Sequence, residues 1–242
     1  MTAKRQGRRA IAAAELMEEL RRDPAWVARD EAKERERQKR VEASLAEQKP
    51  MLNDLSSVGI NVRSISDLVN TSQRYPAAIP VLMKHLLLPY KFWTRNFIAR
   101  ALTVREAEGI ACRVLLDEFK KTNSSSPDES EFKWALANAL SVTADESVLD
   151  ELIELAADRR HGGARDGIVR ALARFPRNER VVDVLIGVLS DESVAGHAVM
   201  ALGKLKAKKA EPYLERLLSH PQAWVRKEAV KALKSVRRPV SA

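Results

Sequence analysis

The chain has 242 residues, of which 5% are aromatic and 31% charged, with nine glycines and ten prolines. This composition excludes collagen-like and linker-like material, and it disfavours a β-sandwich, whose strands need more β-branched and aromatic residues. The net charge is +9, with 13 basic and 10 acidic residues among the first 50 and 29 and 23 in the remainder. We therefore expect a globular helical protein whose basic excess is spread along the chain and favours an anionic partner.

Residues 1–50 are predicted to form a charged N-terminal helical arm, with residues 1–9 disordered. Asp23 and Pro24 fit the N-cap and first position of a helix. From Arg29 to Arg40 charges of both signs alternate without a large apolar residue, which indicates a solvent-exposed helix held by i,i+4 ion pairs. Such an arm is either a partly frayed helix or a segment that wraps a partner or a second subunit.

Residues 51–75 are predicted to be two short helices that cap the N-terminal end of a repeat array, with Gly59 as a helix stop. Their apolar residues are Met51, Leu52, Leu55, Ile65, Leu68 and Val69. An exposed end of an array needs such a cap, because its last layer would otherwise leave an apolar face in water.

Residues 76–242 repeat the dipeptide Ala-Leu five times. The alanines are residues 101, 139, 171, 201 and 232. Each pair ends a helix-like segment that follows an earlier amphipathic segment; these earlier segments are about 76–88, 109–121, 147–160, 179–190 and 209–219. Two such helices and their turns fill one repeat, so we expect five stacked helix pairs sharing one core.

The segment boundaries carry residues that start and stop helices. Ser126 and Thr143 each precede a glutamate by three residues, as in a capping box, and Pro89, Pro176 and Pro221 stand between segments. The insertion at 120–125 is predicted to be a mobile loop, with ligand contact as the alternative.

The last repeat resembles the short bacterial HEAT repeats of the PBS-lyase type. Residues 225–233, Val-Arg-Lys-Glu-Ala-Val-Lys-Ala-Leu, follow the pattern V-R-x-x-A-x-x-A-L of the second helix in those repeats. Earlier repeats keep a cation at the arginine position, whereas the fourth has Val194 and Ala195. The resemblance covers about residues 75–236 and implies an all-α, right-handed α-solenoid in which one helix of each pair lines a concave face.

Counting positions from each repeated alanine at 100° per residue separates a buried arc from an outward one. Positions −5, −4, −1 and +3 fall on the outward arc. We call the following outward residues the ridge, and we predict that they bind a partner: Phe97, Arg100, Trp134, Asn138, Arg170, Arg174, Met200, Lys204, Lys227 and Lys231. Aromatic and basic residues together are typical of interfaces, although Trp134 packed on its neighbouring repeat is an equal alternative.

Position −6 carries a second series of cations, which we call the inner row: Arg95, Lys133, Arg165 and Arg226. This position lies near the apolar arc at the start of each helix. A structural role is therefore favoured over nucleic-acid binding, with the stem packed and the charged head reaching a neighbouring turn.

Catalytic chemistry has little support in the sequence. The four histidines lie far apart, Cys112 is the only cysteine and has apolar neighbours, and Gly162-Gly163 fits a turn, so no metal site, cofactor or nucleophile is predicted. Trp134, Asp166 and Arg170 resemble the Trp, Asp and Arg of alkylpurine DNA glycosylases built from HEAT-like repeats. The rest of the chain does not resemble those enzymes.

Three functions follow, in decreasing order of support. The first is a non-enzymatic scaffold that binds a protein with an acidic surface, the second a nucleic-acid binder, and the third an alkylpurine-type DNA glycosylase. No apolar run in the sequence approaches the length of about 20 residues that a membrane-spanning helix needs. The segment after the basic N-terminus is interrupted by Glu15, Glu18 and Glu19, whereas a signal peptide has an uninterrupted apolar region there. A cytoplasmic protein without a membrane partner is expected.

Overall fold

The computed structural model describes residues 13–238, and all regular structure within them is helical. The α-helices are α1 (Ala13–Arg22), α2 (Pro24–Ser57), α3 (Ser66–Val69), α4 (Ala78–Leu86), α5 (Phe92–Ala101), α6 (Cys112–Lys121), α7 (Pro127–Thr143), α8 (Leu149–Ala157), α9 (Arg165–Leu172), α10 (Glu179–Gly187), α11 (Ala195–Leu205), α12 (Glu211–Arg216) and α13 (Ala223–Val236). Short 3₁₀ helices span Arg105–Ala107, Glu146–Val148, Arg159–Ala164, Val188–Ser190, Lys208–Ala210 and Leu217–Ser219. The predicted disorder of residues 1–9 falls outside the described residues.

The chain divides into two compact units at Glu47 and Gln48, within α2. In the first unit α2 starts as predicted, because the side chain of Asp23 accepts a hydrogen bond from the backbone N–H of Ala25 at 2.9 Å. The charged stretch is an exposed helix. Its ion pairs, three or four residues apart, are Glu31–Arg35, Glu34–Arg37 and Glu36–Arg40.

The second unit begins with the end of α2, which corrects the prediction of a separate short helix after Pro50. The helix runs through Pro50 and ends at Ser57. Gly59, with φ +81°, provides the predicted stop, and the N–H of Ile60 donates to the carbonyl of Leu55 at 2.9 Å, as in a Schellman motif. Met51 and Leu55 are buried there.

Five helix pairs, α4–α5 to α12–α13, follow and form an α-solenoid. We refer to them as repeats one to five. Every alanine and leucine of the five Ala-Leu dipeptides is buried, and they belong to one hydrophobic core that extends from Met51 to Val236. This confirms the Ala-Leu period as the buried seam of the stack.

Glycines on the second helices allow neighbouring layers to approach closely. A Cβ at Gly203 would lie 2.9 Å from Ala232 of the next second helix, and one at Gly167 would collide with the backbone of Ala137 and Asn138 in the preceding repeat. The hydroxyl of Ser235 also donates to the carbonyl of Gly203 at 2.8 Å. The layers of repeats two and three, and of four and five, are therefore in backbone contact.

The predicted caps are partly confirmed. The Ser126 hydroxyl accepts the N–H of Glu129 at 3.2 Å at the start of α7. Thr143 instead ends α7, where its hydroxyl donates to the carbonyl of Ala139, and Asp145 supplies the cap by accepting the N–H of Ser147 at 3.0 Å. The capping-box pattern at Thr143 was wrong because the preceding helix extends through that residue.

None of the helices within residues 13–238 combines the length and the apolar character that a membrane crossing requires.

Candidate protein-binding ridge

The inner row is structural, as predicted, because its charged heads are used inside the fold. The ammonium of Lys133 donates to the carbonyl of Thr122 at 2.6 Å, just after the end of α6. Arg226 donates to the carbonyls of His220 and Pro221 at 2.6 and 2.8 Å. Cations fit these places, since unpaired carbonyls concentrate at helix ends and turns.

Arg165 is the most deeply buried member, at 1% exposure. Its guanidinium donates to the carbonyls of Gly162 and Ala156, both at 3.0 Å, and to the Asp191 carboxylate of the next repeat at 2.6 Å. One nitrogen also reaches the hydroxyl of Ser193 at 3.0 Å. Arg165 therefore joins the third repeat to the fourth.

Arg95 completes the row with an ion pair and an aromatic contact. It donates to Glu118 at 2.6 Å, and its guanidinium carbon lies 4.4 Å from the centre of the Phe132 ring in the second repeat. Because all four heads point into turns or neighbouring layers, the inner row does not offer a partner a series of free cations.

The ridge residues lie on the second helices of all five repeats, except for Arg174 in the turn after α9, and each is at least partly exposed. In the first three repeats, however, their polar groups are engaged within the fold. Arg100 donates to Asn96 at 2.7 Å and to Glu131 at 3.2 Å, and Arg170 donates to Asn138 at 2.8 Å.

Arg174 is engaged in the same way. It donates to the carbonyl of Ala144 at 2.9 Å and forms an ion pair with Glu108. These arginines are therefore less available to a partner than their positions on the outward arc indicate.

An aromatic and polar chain of contacts joins repeats two to five. The indole N–H of Trp134, whose exposure is 37%, donates to Asp166 at 3.0 Å. The same carboxylate oxygen lies 3.9 Å from Nε2 of His197, whose ring contacts Trp224 with centroids 5.6 Å apart. Both predicted alternatives for Trp134 therefore hold in part, because it packs on the next repeat and remains partly exposed.

Within this series of contacts, three buried polar atoms have no hydrogen-bond partner among the described residues. They are Asp166 Oδ1, Arg170 Nε and His197 Nδ1. Burial, opposed by the nearby Asp166 carboxylate and assisted by Arg170, lowers the pKa of His197 below its ordinary value. Asp166 is mostly buried and already accepts the indole N–H. The arrangement resembles an internal polar network more than a carboxylate presented to a substrate.

The last two repeats differ from the first three in their free cations. Lys204 and Lys227 are exposed, and neither makes a hydrogen bond or ion pair with any part of the chain that the structure describes. Lys231 pairs with Glu228 at 2.6 Å, and Met200 is exposed on α11, one turn before Lys204.

The distribution of charge corrects the expectation that the basic excess is spread along the chain. Residues 51–199 contain 18 basic and 20 acidic side chains, whereas residues 200–242 contain 11 basic and 3 acidic ones. Beyond the N-terminal 50 residues, the whole basic excess thus belongs to the C-terminal 43.

Part of the predicted outward arc is buried. Asn96, Ala135, Gly167 and Gly196 occupy positions −5 or −4 and are covered by neighbouring layers. The flat projection of a single helix cannot show this, because these positions face the adjacent second helix in the stack.

Sequence reasoning did not select Trp224 or Trp93. Trp224 is 44% exposed, its N–H donates to Gln222 at 2.8 Å, and its ring lies where any side chain at Gly196 would collide with it. Trp93 is 58% exposed and stacks on Phe97 with centroids 6.1 Å apart. A glycine inside an otherwise regular helix, Gly196, was the available sign of a large ring lying against it.

Comparisons with known proteins give a family match to part of the chain and a likeness to solved structures. A search of curated proteins finds no match. Among solved structures, the chain is similar to an engineered protein (21% identity over 77% of this chain and 95% of that one, TM-score 0.45) and to a designed armadillo repeat protein (20% identity over 78% and 92%, TM-score 0.44). A sequence model of the HEAT repeats matches residues 179–242, which correspond to repeats four and five.

Proposed function

We propose that this protein is a non-enzymatic scaffold that binds a partner protein along the ridge, and that the partner contributes an acidic surface. Repeat scaffolds of this architecture typically mediate protein interactions. The observation that supports a ridge site is the recurrence of aromatic or basic side chains, each at least partly exposed, on the second helices of five consecutive repeats. Such a mixture is typical of protein interfaces.

Three tryptophans and a methionine provide the apolar part of this surface. Trp93 and Trp224 stand at position −8, which projects onto the same outward arc as the ridge. Trp93, Trp134, Met200 and Trp224 are each more than a third exposed, and they occur in repeats one, two, four and five. Large, partly held aromatic rings are the residues that most often dominate binding energy at interfaces. We infer that a partner contacts several layers at once, which would make its affinity depend on the stacking of the repeats.

The proposed function is tested by affinity purification from the native cells with quantitative mass spectrometry. A ridge variant carries Arg100→Glu, Arg170→Glu and Lys231→Glu. A control with the same change in charge carries Arg177→Glu, Lys208→Glu and Arg216→Glu, three exposed bases in a turn, in a short 3₁₀ helix and at the end of α12, respectively. Both variants are first checked for an unchanged thermal unfolding transition.

A protein that the wild type and the control recover equally, and that the ridge variant loses, is the expected result. Equal recovery of the partner by all three proteins would show that the ridge is not the binding surface. Salt-sensitive retention of a DNA duplex that depends on the ridge residues would instead support a nucleic-acid partner.

A further inference from the structure

The two ends of the ridge differ in the charges that they can offer. In repeats one to three, Arg100, Arg170 and Arg174 are held by Glu131, Asn138 and Glu108. In repeats four and five, the ammonium groups of Lys204 and Lys227 have no partner among residues 13–238. A ligand that displaces no internal contact must therefore find its cations at the C-terminal end.

We call this end of the ridge, together with the neighbouring Trp224 of α13, the lysine patch; it consists of Met200, Lys204, Trp224, Lys227 and Lys231. Trp224, Lys227 and Lys231 form one stripe along α13, since they are spaced by three and four residues. Met200 and Lys204 lie one turn apart on α11, and the close approach of Gly203 to Ala232 brings the two helices together. The patch is therefore continuous across two layers.

Trp224 gives the lysine patch a fixed apolar centre. One side of its ring faces Gly196 and His197, and its N–H is held by Gln222. Met200 is equally exposed at 44%. An apolar surface among unpaired ammonium groups fits a ligand that has both carboxylates and apolar side chains, because the apolar contacts supply affinity while the charges orient it.

The remainder of the ridge carries carboxylates. Glu108 and Glu131 are about half exposed, and Asp166 lies between Trp134 and His197. A nucleic acid, which has a negative charge at every nucleotide, would meet these groups along its length. A peptide can place its acidic residues at one end only.

We propose that the lysine patch binds an acidic stretch of a peptide whose remaining residues, apolar or neutral, extend along the ridge toward Trp93 and Phe97. This inference rests on the proposed function, since it names the chemistry and direction of the partner on the same surface. Second helices spaced about 8–10 Å apart give a ridge of about 32–40 Å, which an extended segment of about 11 residues would span.

The test is a titration of the isotopically labelled full chain with an eight-residue oligoglutamate at low salt, followed by amide NMR shifts. Shift changes are expected in α11 and α13 and not around Arg100, Arg170 or Arg174. The variant with Lys204→Glu and Lys227→Glu should bind at least about tenfold more weakly, because each change replaces an attraction with a repulsion. A variant with Arg177→Glu and Arg216→Glu has the same net charge and should bind like the wild type.

Three results would overturn the proposal. They are an absence of binding at low salt, shift changes centred on the arginines of repeats one to three, and tighter binding of an eight-nucleotide oligothymidylate to the same patch. The cell-extract experiment remains independent. A partner that the ridge variant loses but the Lys204→Glu, Lys227→Glu variant retains would support the scaffold function and exclude the lysine patch as its binding site.

Discussion

Two rows of basic residues lie on the same second helices and differ in what their charged groups contact. The inner row, at position −6, places its heads against carbonyls and carboxylates of the fold, with Arg165 almost completely buried. The ridge, at positions −5, −4, −1 and +3 of the same repeats, ends in Lys204 and Lys227, which have no polar partner within residues 13–238. Charge in a repeat protein can thus hold layers together or remain available to a partner.

The difference has an energetic cause. A buried guanidinium has lost its hydration and is stabilised only when all of its donors are satisfied, whereas an exposed ammonium keeps its water and contributes little to folding. Removing a cation from the inner row should therefore affect stability, and removing one from the lysine patch should affect binding. Three variants test whether stability and binding depend on different cations in this way.

The largest effect is expected from Arg165→Leu. This change leaves the mostly buried Asp191 with only the longer, 3.6 Å pair to the exposed Arg159, and it removes the donors to Ala156 and Gly162. Breaking a buried pair in this way typically costs about 3–5 kcal/mol of unfolding free energy. Urea unfolding followed by circular dichroism measures it, and a loss below about 1 kcal/mol would mean that the inner row is not structural.

The next effect is expected from Asp191→Asn, which removes the charge from the other partner. Burial alone would raise the pKa of Asp191, but hydrogen bonds from Ser193 and Arg165 outweigh it and lower the pKa to about 2 from an ordinary 3.8. Because the pKa is lower in the folded state, the stabilisation is present above about pH 4 and is lost as the pH falls through about 2. The variant should be less stable by about 2 kcal/mol at pH 7.

This stability difference should narrow as the pH is lowered toward 2, and unfolding curves of wild type and variant across that range measure it. Asp150→Asn is the matched control, because the ion pair of Asp150 with Arg180 is exposed and should contribute little at any pH. A gap that stays constant with pH would show that the charge of Asp191 is not the stabilising feature.

The smallest effect on stability is expected from Lys204→Ala combined with Lys227→Ala. Neither side chain makes an internal polar contact within the described part of the chain, so the unfolding free energy should change by less than about 0.5 kcal/mol. The same urea experiment measures it. A larger loss would mean that the lysine patch belongs to the fold and would erase its contrast with the inner row.

The period of the Ala-Leu dipeptide predicted the solenoid, because each layer has the same seam and a local pattern fixes it. The role of the inner row was also predictable, since position −6 lies near the apolar arc. The burial of Asn96 and Gly196 was not, because it depends on the neighbouring layer. Nor was the engagement of Arg100 and Arg170, whose partners lie about one repeat away in the sequence.

The contact of Trp224 with Gly196 has a consequence for how the array comes apart. Within residues 13–238 the fifth repeat has a neighbouring layer on one side only, and in a nearest-neighbour description such a layer frays before the central ones. When the fifth repeat detaches, this indole leaves the surface of α11 and enters water, and its fluorescence should change before the central layers melt. With Trp26, Trp93 and Trp134 replaced by phenylalanine, the chain would carry its own optical probe of unzipping from that end.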